Sequence, residues 1–208
     1  VGSYEKIEAT TKRLEMTSHL VELLKKTPKE VIARVVYLTQ GKLYPDFVGI
    51  EMGVAEKLAI KALTRATGGS ENVIQRELQK SGDIGETAEK QLKQRKQSTF
   101  FSKKLTVERV YETLDKLAKT SGSGAVDTKM ALLSSLLTDA SPKEAKWLIR
   151  TVTGNLRLGI ADMTVLDALA IAYGGGKETR EKIERAYNIS SDLGRVATVV
   201  AEKGISGI

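Results

Sequence analysis

Residues 50–68, IEMGVAEKLAIKALTRATG, and residues 156–174, LRLGIADMTVLDALAIAYG, lie 106 positions apart and follow one pattern. Gly53, Ala55, Ala62, Leu63, Ala66 and Gly68 meet identical residues in the later stretch, while Ile50, Met52, Val54, Glu56 and Ile60 meet close relatives. A second pair follows in the same order. In NVIQRELQKSGDIGETAE (72–89) and EKIERAYNISSDLGRVAT (181–198), Ser81, Asp83, Gly85 and Ala88 fall on Ser190, Asp192, Gly194 and Ala197. A third pair precedes both: Thr27-Pro28-Lys29-Glu30 matches Ser141-Pro142-Lys143-Glu144. Each reads as a capping box with proline at the first helical position. Amphipathic helices share Ala and Leu by default, but matched Gly, Asp and caps in one order point to duplication. Repeat one is expected over about 3–89 and repeat two over about 106–208. The first carries about eight extra residues near Gln40 to Phe47.

The local pattern sets the fold class. Apolar residues recur at spacings of three and four through 4–14, 19–26, 28–39, 53–67, 71–80, 106–119, 127–138, 142–152, 162–173 and 178–188. No stretch alternates as a strand does. The expectation is an all-α protein of about twelve short helices in two tandem, pseudo-two-fold related repeats. Residues 1–208 then form a single domain, with a basic linker over 90–104 between the repeats. Ser121–Gly124 and Gly174–Gly176 read as plain loops.

Composition removes several function classes. With 41% hydrophobic residues, the chain can bury one substantial core or two half-sized lobes. It has no cysteine, which excludes disulfides, thiolate chemistry and Cys-based zinc sites. Its one histidine, His19, shares an apolar stripe with Leu20, Leu23 and Leu24 and reads as structural. No metal site or Ser-His-Asp triad is expected. No apolar run has membrane-spanning length and the start does not resemble a signal peptide, so an intracellular, soluble chain with no membrane partner is expected.

The net charge of +7 invites a polyanion. Residues 90–104, KQLKQRKQSTFFSKK, hold Lys90, Lys93, Arg95, Lys96, Lys103 and Lys104 and no acid. A charge run is most often a solvated face, yet this concentration favours phosphate contact. Phe100 and Phe101 stand inside this polar run. They either anchor the linker on the core or belong to an exposed peptide, 97–101, whose rings enter a partner's pocket.

Four turns precede helical patterns: EMGVAE (51–56), SGDIG (81–85), RLGIAD (157–162) and SSDLG (190–194). Glycine permits close backbone approach, and a helix N-terminus offers amide donors with positive partial charge. Helix-hairpin-helix turns hold DNA phosphates in this way and read backbone, not base. As ordinary caps, Asp83 and Asp192 would simply satisfy helix N-termini and Gly85 and Gly194 would be packing points. Four turns in two related pairs favour a ligand, because a duplex offers two strands related by a local dyad. Lys42, Arg150, Arg157 and Arg195 stand near these turns, with Arg150 and Arg157 flanking Thr153-Gly154-Asn155.

These stretches carry a resemblance. YLTQGKLYPDFVGIEMGVAEKL (37–58), SGDIGETAE (81–89), FFSKKLTVERVYETLDKLA (100–118), EAKWLIRTVTGNLRLGIADMTVLDALA (144–170) and ERAYNISSDLG (184–194) together resemble the N-terminal domain of archaeal and eukaryotic ATP-dependent DNA ligases. The resemblance implies an all-helical, internally pseudo-symmetric domain that grips the minor groove of nicked duplex DNA during replication, repair and recombination. It implies DNA contacts at Gly41 and Lys42, at Gly53 and Ala55, and at Ser81, Gly82, Asp83 and Gly85. Further contacts fall at Thr153, Gly154, Asn155, Arg157 and Gly159, and at Ser191, Asp192 and Gly194. Arg95, Lys96 and Arg150 join this set on charge and position. The QSTFF segment resembles the short motif by which archaeal members bind a sliding clamp, which implies that Gln97, Phe100 and Phe101 contact a clamp.

Ligases of this kind attack ATP with the lysine of a Lys-x-Asp-Gly motif in a separate adenylation domain. No lysine of this chain is followed by that pattern. The resemblance therefore implies a non-catalytic fragment without the adenylation and OB-fold domains. ATP and Mg2+ would serve only the parent enzyme, and the domain itself is expected to be monomeric. A ligating enzyme in its own right, or a scaffold with a purely protein partner, are the competing readings.

Overall fold

The computed structural model describes residues 1–95 and 103–208. Among these, twelve α-helices and no strand are present, as the three- and four-residue spacing predicts. The helices are α1 (Gly2–Glu8), α2 (Arg13–Lys26), α3 (Ile32–Thr39), α4 (Glu56–Thr67), α5 (Glu71–Ser81) and α6 (Ile84–Lys93). They continue with α7 (Val107–Lys119), α8 (Ala125–Asp139), α9 (Pro142–Val152), α10 (Asp162–Tyr173), α11 (Arg180–Ser190) and α12 (Leu193–Lys203). None is long and apolar enough to cross a membrane.

The helices gather into two compact units. The first comprises Val1–Gly49 and Arg157–Ile208. In it α2 packs on α10, α3 on α12 and α1 on α2, while α10, α11 and α12 pack on one another. Ile7, Leu20, Ile32, Leu166, Leu169 and Ile183 are fully buried there. Asp167 on α10 accepts from Arg13 of α2 at 2.7 Å and pairs with Arg180 of α11 at 2.6 Å.

The second unit is the continuous stretch Ile50–Leu156. Here α4 packs on α8, α6 on α9 and α7 on α8, with α4, α5 and α6 mutually in contact. Ala59, Leu63, Ile74, Leu114, Leu133, Leu137 and Ile149 form its core. Ser134 on α8 donates to the Ala62 carbonyl of α4 at 3.2 Å, a side-chain tie within that helix pair.

The main helix pairs of the two units correspond. The pair α2–α10 has its counterpart in α8–α4, α3–α12 in α9–α6 and α1–α2 in α7–α8. Each unit thus joins the opening helices of one expected repeat to the closing helices of the other.

Some local expectations differ from the structure. The pattern over 4–14 is broken at Ala9–Lys12, so α1 is short and α2 starts at Arg13. The helices α6 and α12 are not among the expected periodic stretches, although Ile84, Ala88 and Leu92 in one and Leu193, Val196, Ala197 and Val200 in the other recur at spacings of three and four. Of the two expected capping boxes, the one at Ser141 forms. The Ser141 hydroxyl accepts from the Glu144 amide at 3.3 Å, and the Glu144 carboxylate accepts from the Ser141 amide at 2.8 Å. The other does not form. The Thr27 hydroxyl turns back to the Leu23 carbonyl of α2 at 2.7 Å, and a 3-10 turn, Lys29–Val31, precedes α3. A threonine within reach of a preceding helix carbonyl has a competing acceptor that sequence does not reveal.

Candidate nucleic-acid interface

Both α3 and α9 end in the same way. Gly41 (φ 71°) follows α3 and Gly154 (φ 72°) follows α9. The Gly41 amide donates to the Leu38 carbonyl at 3.1 Å and the Lys42 amide to the Tyr37 carbonyl at 2.9 Å. At α9 the Gly154 amide donates to the Thr151 carbonyl at 3.2 Å and the Asn155 amide to the Arg150 carbonyl at 2.8 Å. This is the Schellman arrangement, and only glycine enters its left-handed position without strain. It aligns 37–42, YLTQGK, with 150–155, RTVTGN. Tyr37 and Arg150 therefore occupy the same place, one turn before a helix end.

From that place both side chains reach the N-cap aspartate of a neighbouring helix. In the second unit the Asp83 carboxylate caps α6, accepting from the Gly85 amide at 2.7 Å and the Glu86 amide at 3.1 Å. Arg150 closes on it with Nε at 3.1 Å and Nη2 at 2.7 Å. The Arg150 residue is only 3% exposed, so this is a buried, two-pronged pair. In the first unit Asp192 caps α12, accepting from the Arg195 amide at 2.9 Å, and the Tyr37 hydroxyl donates to Asp192 Oδ1 at 2.5 Å. Both reaching side chains cross a buried glycine. A Cβ on Gly85 would come to 2.6 Å from Arg150 Cγ, and one on Gly194 would sit inside the Tyr37 ring contact. Gly85 and Gly194 thus lie beneath the surface.

Burial raises the Asp83 pKa, but the Arg150 hydrogen bonds, the Glu86 and Gly85 amides and the Arg150 charge outweigh it, and the carboxyl stays below its ordinary range. Arg150 also lies 5.1 Å over the Trp147 ring. Its guanidinium is committed inward and is not presented at the surface as the sequence suggests.

The remaining turn residues stand at helix ends and before helix starts. Gly82 (φ 66°) ends α5 and Ser191 (φ 53°) ends α11, so a non-glycine residue holds the left-handed conformation at the second position. Gly53 (φ 54°) and Gly159 (φ 64°) precede α4 and α10. Arg157 also stands at a positive φ of 54° and is exposed. Ala55 is the N-cap of α4, as Ala161 is of α10. Ser81, Gly82, Gly53, Ala55, Gly154, Asn155, Gly159 and Ser191 are exposed, whereas Gly41, Lys42, Thr153, Asp83 and Asp192 are half-buried.

In the first unit these turns are tied together. Asp162, the first residue of α10, accepts from Gln40 Nε2 at 2.5 Å and from the Tyr187 hydroxyl at 2.6 Å. The hydrogen bond to Asp162, then burial and the charges of Asp162 and Asp46, push the Tyr187 pKa up to about 12. Lys42 pairs with Asp46 at 2.7 Å. The end of α3 thus reaches the start of α10 through Gln40 and the cap of α12 through Tyr37. Sequence reading picks out the turns but misses Tyr37, Gln40 and Tyr187, which join them. Hydrogen bonds spanning 122 and 155 positions leave no local signal.

The basic run is partly neutralised. The helix α6 extends through Lys93, with Lys90 paired to Glu77 and Lys93 to Glu89 at 2.6 Å. Arg95 donates to the Thr138 carbonyl at 2.9 Å. A groove of about 470 Å³ beside Ser81 is lined by Lys80, Lys90, Lys93 and Lys146, interleaved with Glu77, Glu86 and Glu89. Lys96, Gln97, Phe100 and Phe101 lie outside the described residues. Among the described residues no cluster of three or more metal-ligating side chains occurs.

The fold is all-helical among the described residues, and both of its compact units carry capped helix starts and glycine-bearing turns. The sequence pattern of the DNA ligase N terminus matches residues 1–170, and the chain belongs to that family. It is 54% identical over 206 residues to a DNA ligase of Nitrosopumilus maritimus, covering 99% of this chain and 35% of that protein. It is 51% identical to a DNA ligase of Cenarchaeum symbiosum, covering 100% and 35%, and 50% identical to DNA ligase 2 of Korarchaeum cryptofilum, covering 99% and 34%. The chain spans about a third of the length of these archaeal relatives.

Proposed function

We propose that this chain binds nicked duplex DNA through the minor-groove backbone, without reading base sequence, as the DNA-binding domain of an ATP-dependent DNA ligase. The observation that carries the reading is the double occurrence of one turn set. Each unit presents a Schellman turn (Gly41 and Lys42; Thr153, Gly154 and Asn155), a glycine turn before a helix (Arg157 and Gly159; Gly53 and Ala55) and a capped helix start (Ser191 and Asp192; Ser81, Gly82 and Asp83). A duplex presents two chemically equivalent backbones, and two equivalent turn sets suit one each. Family membership and the net charge of +7 support the same partner.

In this reading residues 1–208 act as one DNA-binding module that arose by duplication. Exposed backbone at the turns approaches phosphates, and Lys42 and Arg157 supply cations. The amides of Gly85 and Glu86 are occupied by Asp83, so phosphate contact falls on the turn outside the cap. Gly85, Gly194, Arg150 and Tyr37 act from beneath by fixing the caps. In the second unit Arg150 also cancels the Asp83 charge that would repel a phosphate. Arg95 and Lys96 extend the basic surface. Gln97, Phe100 and Phe101 bind a sliding clamp. Adenylation with ATP and Mg2+, and the sealing step, belong to the rest of a parent ligase, with which this monomeric domain works inside the cell.

A mobility shift with nicked duplex over a salt series tests this. The expected result is sequence-independent binding that weakens about a thousandfold between low and moderate salt. Binding indifferent to salt would remove the backbone reading. A covalent adenylyl adduct on this chain after incubation with labelled ATP would remove the non-catalytic one.

A further inference from the structure

Among the described residues Phe47 is the one strongly exposed aromatic side chain, at 68%. It sits on a loop that only one turn set possesses. Residues 43–49 separate Lys42 from Ile50, whereas Asn155 and Leu156 are adjacent. The loop is held at its start. Leu43 is buried at 1% exposure, and Lys42 pairs with Asp46. A 3-10 turn, Asp46–Val48, follows Pro45, with the Val48 amide donating to the Pro45 carbonyl at 3.0 Å and the Gly49 amide to that of Asp46 at 3.1 Å. Gly49 closes it at φ 69°. A ring that could have been buried is instead displayed on a pinned turn. The loop that carries it shares a depression with the turns: Lys42, Tyr44, Asp46 and Ser191 line it together.

We propose that Phe47 enters the minor groove of the bound duplex as an apolar wedge against the base-pair edges, next to backbone held by Lys42 and the Ser191 turn. This rests on the backbone-binding reading above. A rigid aromatic side chain loses little conformational freedom on insertion, and apolar side chains in a minor groove partly unstack a base step. The wedge makes the two turn sets inequivalent. A duplicated domain with two identical surfaces would accept a nick in either orientation; one wedge gives it a polarity.

The test uses a singly nicked duplex carrying 2-aminopurine at one position at a time on both sides of the nick. The wild-type chain is expected to raise fluorescence on one side only. Phe47→Ala should abolish the rise and weaken binding about tenfold while leaving the salt slope unchanged, because an apolar contact releases no counterions. Phe47→Trp should keep the rise. Salt-dependent binding with no fluorescence change, and a Phe47→Ala chain of wild-type affinity, would overturn the wedge and leave backbone binding intact. An equal rise on both sides would overturn the polarity. Absence of any salt-dependent DNA binding by the wild-type chain would instead overturn the parent reading.

Discussion

Arg150 spans Gly85 to clasp Asp83 with Nε at 3.1 Å and Nη2 at 2.7 Å, so one buried guanidinium both covers a glycine and holds a helix cap. Removing it strands a largely enclosed carboxylate. Arg150→Ala is expected to destabilise the chain by about 3 kcal/mol. Gly85→Ala pushes a Cβ into the same side chain and should cost about 1–3 kcal/mol. The two effects share one cause, so the double variant should fall well short of their sum. Denaturant unfolding of the three variants reads this directly, and strict additivity would mean the side chain does not lie across Gly85. Tyr37→Phe at the equivalent place keeps the ring over Gly194 and loses one hydrogen bond to the Asp192 carboxylate, so a smaller cost of about 2 kcal/mol is expected.

The Asp83 clasp also predicts a pH response. Burial pushes this carboxyl up, but Arg150 and the two cap amides outweigh it and hold the pKa below its ordinary value of 3.8. A group with a lowered folded-state pKa contributes stability above its unfolded value and loses it as pH falls through the lowered one. The contribution should be intact at pH 5 and above and should fade below about pH 4. Asp83→Asn should be less stable at neutral pH yet lose less on acidification. Thermal melts between about pH 2 and 7 measure the difference, and parallel curves for the two chains would exclude Asp83 as a source.

Ser191 stands at φ 53° where its counterpart is Gly82 at φ 66°. An L-residue with a side chain loses about 1–2 kcal/mol in that conformation. Ser191→Gly should therefore hold or raise the melting temperature, despite the larger entropy of glycine in the unfolded chain. The reverse change, Gly82→Ser, should lower stability through strain alone, because a Cβ there meets no atom within 4 Å. A fall in stability with Ser191→Gly would show that the serine makes a compensating contact.

The helical class was readable because spacing of three and four is a local property of the chain. The turns were readable because glycine and aspartate carry distinct backbone preferences. What escaped was whatever depends on partners far away in sequence. Arg150 looks like a surface cation because nothing near it in sequence says that Asp83 stands opposite. The Thr27 box looks identical to the Ser141 box because the competing Leu23 carbonyl belongs to the previous helix. The helices α6 and α12 carry a local signal too: an aspartate cap followed by apolar residues at spacings of three and four, Ile84, Ala88 and Leu92 in one and Leu193, Val196, Ala197 and Val200 in the other. The grouping of helices into Val1–Gly49 with Arg157–Ile208, and Ile50–Leu156, brings together segments far apart in sequence and leaves no local signal.

Arg157 offers a separation of binding from stability. It is exposed, cationic and held at φ 54° in the turn before α10, three features that seldom coincide unless a conformation is retained for use. Arg157→Gly removes the charge and the strain together. Binding to nicked duplex should weaken to a similar degree for every sequence, and the salt slope should fall by about one. The melting temperature, read separately, sets the relieved left-handed strain against the lost side chain and the larger entropy of glycine in the unfolded chain. Arg157→Lys keeps the charge and the strain, so its salt slope should match the wild type. An unchanged slope in the Arg157→Gly variant would take Arg157 out of the interface, and a variant that both binds and melts like the wild type would mean that neither charge nor conformation at this position matters.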